Sequence, residues 1–284
     1  TPSLASCAVY LPEGSVLRLG GTQIVIGAID LRLVSDGAGA TLDAELRSRV
    51  FYMAGGGHIQ LEGITLANGG FQNQFQGDPE LAILGGAMKV DNGTVALVRS
   101  SIVDSSAQME GGAVRINAGS LTIANASSIS GCQAGLYGGA IMVRGGVVTV
   151  DHSSIAHSRC VNGMGGAIYL FSGVVDIIND SSVVDSTAHS DSGAMQIDGG
   201  SLRMASSSIL RSTSQQNGGG MMKVVGGDVV LVNTSIADST AQEMGGAVFL
   251  ESGRVTMINT SLVNSRAIDF YGGAMAVWGG ILTV

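Results

Sequence analysis

Several things are missing from this chain, and each absence closes a class of function. No apolar run approaches the eighteen or more residues of a membrane-spanning helix. The opening residues, TPSLASCAVY, lack the basic start and long apolar centre of a secretory leader. The closing GGILTV stops inside a phrase used repeatedly upstream, so both ends are expected to be cuts in a longer chain. Cysteine occurs only as Cys7, Cys132 and Cys160, too few for a disulfide scaffold and without metal-ligand spacing. Lysine occurs only as Lys89 and Lys223, and the net charge is −8. With no basic cluster to neutralise a phosphate backbone, nucleic acid is excluded as a partner. The acidic balance implies solubility. The 44 glycines follow no Gly-X-Y period, which excludes collagen, and the 45% hydrophobic share excludes a disordered chain. Aromatics are few, so the core is expected to be small and β-branched.

What is present is a repeat. GGAIMVRGG at 138–146, GGAIYLFSG at 165–173 and GGAVFLESG at 245–253 are variants of one phrase. The residue after its glycine pair falls at Ala87, Ala113, Ala140, Ala167, Ala194, Met221, Ala247 and Ala274. The spacing is 26 or 27 residues throughout, a solenoid signature. One and three residues after this zero position the side chains are apolar, as in Val114 and Ile116. The residue between them varies freely: Lys89, Arg115, Met142, Tyr169, Gln196, Lys223, Phe249, Ala276. Period two of this kind predicts a strand with one buried face. A glycine always stands six after zero, from Gly93 to Gly280, and predicts a bend. A second alternating strand follows, as in Leu121-Thr122-Ile123.

A third phrase, such as SSIVDSSA at 100–107 or TSIADSTA at 234–241, completes the unit. Its columns are Ile102, Ile129, Ile155, Val183, Ile209, Ile236, Leu262, then Ser105, Cys132, Ser158, Ser186, Ser212, Ser239, Ser265. A third column is small and includes Ala107 and Cys160. Cys132 and Cys160 therefore read as packed free thiols. Three short strands per coil of about 27 residues predict an all-β parallel β-helix, a β-solenoid, in which like stacks on like and the serine column hydrogen-bonds along the stack. Residues 1–84 are expected to form less regular coils with a protruding loop near 69–84. Residues 85–284 are expected to form the regular array.

GGA followed by Ile, Val or Met resembles the GGA[ILV] repeat of chlamydial polymorphic membrane proteins, autotransporter passengers that act as adhesins. Where that family carries FxxN, this chain carries IxxS or LxxS, as in Ile102 to Ser105. The stretch VSDGAGATLDAELRSRVFYMAGGGHIQLEGITLANGG at 34–70 is similar to the first coils of secreted proteins with the pectin-lyase-like fold. The resemblance implies a right-handed coil, an extracellular or cell-surface location and a structural or adhesive role.

An enzyme on this architecture needs paired acids at one level of the rod. The column two after the Ile reads Asp104, Gly131, His157, Asp185, Arg211, Asp238, Asn264, with its acids dispersed. His152 and His157 share a coil beside Asp151, without further ligands for a metal. No catalytic residue, metal site or cofactor is assigned. The candidate face for a glycan or a protein partner is the set of outward aromatics Tyr169, Phe171, Phe249 and Trp278, with Phe270 and Tyr271 at a nearby bend. Sequons stand at Asn92, Asn125, Asn179, Asn233 and Asn259. Four of them sit twelve after zero, which a stacked column explains, leaving Asn92 in the turn DNGT as the glycosylation candidate. The expected function is a non-catalytic structural or adhesive rod touching other protein segments, copies of itself or glycans. The alternative is a polysaccharide-binding or polysaccharide-degrading β-helix.

Overall fold

The computed structural model describes residues 5–71 and 84–284, and the protruding loop expected near 69–84 falls almost wholly in the segment outside them. Among the described residues there is no helix. The chain is a parallel β-solenoid of about ten coils, a stack roughly 50 Å long at about 4.8 Å per coil. An eleven-stranded sheet begins with Ala5–Tyr10 and ends with Ile281–Thr283. A ten-stranded sheet runs from Ile24–Ile26 to Met275–Val277 and contains every strand of the glycine-glycine-alanine phrase. A second ten-stranded sheet runs from Val16–Arg18 to Ser261–Val263. These three sheets continue unbroken from the less regular coils into the regular array. One antiparallel pair, Gly70–Phe71 with Arg47–Ser48, lies outside the parallel ladders.

The columns read from the sequence are the register. Met88 pairs with Val114, Val114 with Ile141 and Ile141 with Ile168. Ile102, Ile129, Ile155 and Val183 follow one another in the same way. All are buried in one continuous core. Each coil thus removes the same apolar stripe from water and satisfies its backbone on the next coil.

The glycine pair has two separate causes. The first glycine is left-handed, at φ 62° in both Gly111 and Gly138 and 67° in Gly165. The second lies where backbones nearly touch: a Cβ on Gly139 would stand 2.0 Å from the carbonyl oxygen of Gly166 in the next coil.

Two expectations are corrected. The third phrase is not one strand. It breaks at a left-handed residue, Asp104 at φ 51°, and resumes as Ser106–Ala107, giving a fourth, seven-stranded parallel sheet of two-residue strands. The inter-coil serine ladder also lies mainly in a different column. The Ser100 backbone N–H donates to Ser127 Oγ at 3.1 Å, Ser127 to Ser153 at 3.2 Å and Ser153 to Ser181 at 3.2 Å. In the column expected to form it, Ser158 and Ser239 donate within their own coil, to the carbonyls of Ala156 and Ala237. Ser105 accepts from a neighbouring coil, from the Gly69 N–H at 3.1 Å, and Cys132 accepts from the Ser105 backbone.

The Asn column is likewise conformational. Asn125, Asn179, Asn233 and Asn259 have φ between 48° and 56°, the left-handed region that Asn tolerates better than other residues with a Cβ. Asn92 is exposed, and its side-chain oxygen accepts from the Gly93 N–H at 2.8 Å.

Candidate functional site

The strand after the glycine pair is only three residues long, and a bend closes it at each end. Side chains just outside the bends flank its outward column on both sides. On one flank, three before zero, Leu84, Glu110, Tyr137 and Met164 are joined by parallel bridges. On the other, four after zero, stand Asp91, Asn117, Arg144, Phe171, Asp198, Glu251 and Trp278. The result is a shallow groove whose floor, the variable column, is largely covered by the flanks.

This corrects the expected solvent-facing strand face. Lys89, Arg115, Met142, Gln196 and Phe249 on the floor are all buried. Of the four candidate aromatics, Tyr169 is 6% exposed and Phe249 2%, while Phe171 and Trp278 on the flank are 52% and 66% exposed. The aromatics form two separate contacts. Phe249 meets Trp278 edge-on with ring centroids 5.0 Å apart. Tyr169 meets Tyr137 edge-on at 4.8 Å, a geometry that aromatic quadrupoles favour. Phe270 and Tyr271 are exposed and tilted against each other at 6.4 Å.

A cavity of about 140 Å³ lies at the middle of the groove, lined by Tyr137, Met142, Arg144, Tyr169 and Phe171. Arg144 stands 6.0 Å from the Phe171 ring centre and reaches the opposite flank, where its Nε donates to Glu110 Oε2 at 3.1 Å. Arg115 Nε donates to the same oxygen at 2.6 Å. Burial alone would raise the Glu110 pKa, but the two guanidinium groups outweigh it and hold the carboxyl below its ordinary value.

The other groove acids are also engaged. Asp91 accepts from Tyr52 Oη at 2.7 Å and Asn117 Nδ2 at 2.5 Å, and Lys89 Nζ stands 3.3 Å away. Burial opposes these partners, yet together they keep Asp91 below the ordinary value. Asp198 accepts from the Tyr169 hydroxyl and from Gln196 Nε2 at 2.7 Å. Desolvation, followed by this carboxylate, pushes the Tyr169 hydroxyl pKa up. Lys223 lies between Asp191, at 3.5 Å, and Glu251, at 3.2 Å, with its Nζ 5.2 Å from the Phe249 ring centre. Ser192, at φ 59°, replaces the first glycine of its pair and donates to Gln196 Oε1 at 2.6 Å.

The dispersed acids of the third phrase have a backbone explanation. Asp104, His157, Asp185, Arg211, Asp238 and Asn264 have φ between 50° and 57°, and Gly131 is at 66°. This is a bend column in which Asp, Asn and Gly are favoured. Arg211 Nε and Nη2 donate to the two Asp185 oxygens at 2.6 and 2.9 Å, on the surface. His152 Nδ1 is 2.8 Å from Asp151 Oδ1, and His157 Nδ1 is 3.7 Å from Asp185 Oδ2. Among the described residues no three His, Cys, Asp or Glu side chains are placed to hold a metal ion. Cys132 and Cys160 are buried free thiols, both pushed up to about 12 by desolvation.

The sequence singled out Tyr169, Phe171, Phe249 and Trp278 as one outward face, without separating floor from flank, and missed Glu110, Tyr137, Arg144, Asp191 and Asp198. Their signal was present: the columns three before and four after zero vary as freely as the floor, and the second of them carries Asp91, Arg144, Asp198 and Glu251. No protein-family model, curated protein or solved structure matches this chain.

Proposed function

We propose that the chain is the rod of an extracellular or cell-surface protein and binds a linear partner along this groove without turning it over. The observation that carries the reading is the central cavity, where two exposed side chains, Phe171 and Arg144, stand over a buried floor. Rigid strands hold the floor, so the site is preorganised and little ordering is lost on binding. Binding rather than catalysis is supported by the state of the acids. Glu110, Asp91, Asp198, Asp191 and Glu251 are each tied to a cation or a hydrogen-bond donor. A general acid–base pair needs carboxyl groups poised to exchange protons with a substrate. The resemblance of the GGA phrases to adhesin passengers points the same way.

A second reading, a polysaccharide-binding or polysaccharide-degrading β-helix, is favoured by the aromatic lining of the cavity, which suits a sugar ring. A glycan array and a panel of extracellular proteins, probed with the chain and with Phe171→Ala, test both readings, with a cleavage assay on the same polysaccharides. Binding lost in Phe171→Ala without product is the expected result. Product formation would replace the adhesive reading with the enzymatic one. Binding that ignores Phe171→Ala would remove the groove from the proposal.

A further inference from the structure

The charges of the groove do not alternate evenly along the rod. They separate into two ends around the aromatic cavity. On one side Arg115 and Arg144 share a single carboxylate, Glu110, leaving one positive charge in excess. On the other side Asp191 and Glu251 share a single ammonium, Lys223, and among the described residues Asp198 accepts from the neutral Tyr169 and Gln196. That leaves two negative charges in excess. Asp191 is buried, with its Oδ2 3.5 Å from Lys223 on the groove floor.

The coils fix the spacing. Arg144, the pair Tyr169 and Phe171, and Asp198 belong to three successive coils. The positive and negative ends therefore lie about 10 Å apart, with the cavity midway. A polymer carrying one sign of charge is attracted by one end and repelled by the other. A neutral glycan can hydrogen-bond to either end but gains nothing from their opposite signs. A polypeptide carries both signs on one strand, and three residues of extended chain also cover about 10 Å. The backbone groups of the floor strands are spent on their neighbours in the ladder, so recognition falls to side chains.

We infer that the groove takes an extended polypeptide segment with an acidic residue at Arg144, an apolar side chain in the cavity, and a basic residue at Asp198. The inference rests on the reading of the groove as the binding face and names the partner class.

The test is to pan a displayed library of random dodecapeptides on the chain, and in parallel on Arg144→Glu and Phe171→Ala, two exposed flank substitutions whose folding is checked by circular dichroism. The expected result is enrichment of peptides with Asp or Glu about three positions from Lys or Arg and an apolar residue between. Their affinity should fall about tenfold on Arg144→Glu and recover when the peptide's own acid is changed to lysine. Peptides enriched without that charge order, or retained equally by both variants, would overturn the inference. So would a library that yields no enrichment. If peptides fail while a glycan binds the chain and is lost on Phe171→Ala, the groove stays the binding face and its partner is a carbohydrate. If peptide and glycan binding both ignore Phe171, the groove reading fails too.

Discussion

Arg144 spans the groove to Glu110, a bond between residues 34 positions and one coil apart. The Glu110 carboxylate is buried, and Arg115 meets it from the floor. The exposed, cavity-facing Arg144 is thus held by an acid that sees almost no solvent. This ties the orientation of the site to the stability of the coils beneath it.

Replacing Glu110 by Gln leaves two guanidinium groups sharing a neutral amide. The cost should be roughly 3 kcal/mol, at the low end for a broken buried pair because the Arg144 side chain is 43% exposed. The sign of the pH dependence follows from the lowered Glu110 pKa. A carboxyl depressed in the folded state stabilises the fold above its unfolded value and loses that contribution as pH falls through the folded value. The melting-temperature gap between the parent and Glu110→Gln should be constant above the ordinary carboxyl range and close as the pH falls through the lowered folded value. A gap that persists unchanged into acid would show that the carboxylate charge is not what holds Arg144.

Thiol chemistry should separate the three cysteines. Cys7 is exposed, while burial pushes Cys132 and Cys160 up to about 12. The thiolate is the reactive form, so at pH 8 an aromatic disulfide reagent should titrate one thiol in the folded chain and three in denaturant. Rapid reaction of a second thiol would mean that the coils around residues 132 or 160 open readily.

The glycine pair predicts a contrast between its two positions. Gly139→Ala drives a methyl into the Gly166 carbonyl oxygen and should cost about 3 kcal/mol or more. Ser192 already occupies a first-glycine position. Ser192→Ala keeps the left-handed backbone and loses the bond to Gln196, for about 1 kcal/mol. Ser192→Gly loses the same bond but relieves the left-handed strain, and should stay within about 1 kcal/mol of the parent. Chemical denaturation midpoints for the three variants check the ranking.

The repeat made the coil legible because every apolar column is a register line, and Met88, Val114 and Ile141 pair as their spacing requires. The groove was less legible for a specific reason. Period two tells which side chains point out of a strand, but not whether the chain beyond its ends rises beside them. Tyr169 and Phe249 alternate like surface residues and are buried because Tyr137 and Trp278, from adjacent coils, lean on them. The left-handed bends were hidden in another way: Asp104, His157 and Arg211 share one backbone conformation while differing in charge.

His152 tests whether the Asn column is set by the backbone. It stands between Asn125 and Asn179 in that column, at φ 46°, and its Nδ1 lies 2.8 Å from an Asp151 oxygen that also accepts from Asn179 Nδ2 at 2.9 Å. His152→Asn should therefore be tolerated or gain about 0.5 kcal/mol, since Asn adopts the left-handed conformation more readily. His152→Val should lose about 1–2 kcal/mol, because a β-branched side chain is poorly suited to that region. Denaturation midpoints for the pair decide the matter. If Asn and Val behave alike, the bend does not select its residue, and the recurrence of Asn125, Asn179, Asn233 and Asn259 needs a cause outside the backbone, with attached sugar the first to examine. If they separate as expected, those four sequons follow from the geometry of the coil, and Asn92, outside the column, is the one whose modification has to be measured by mass spectrometry.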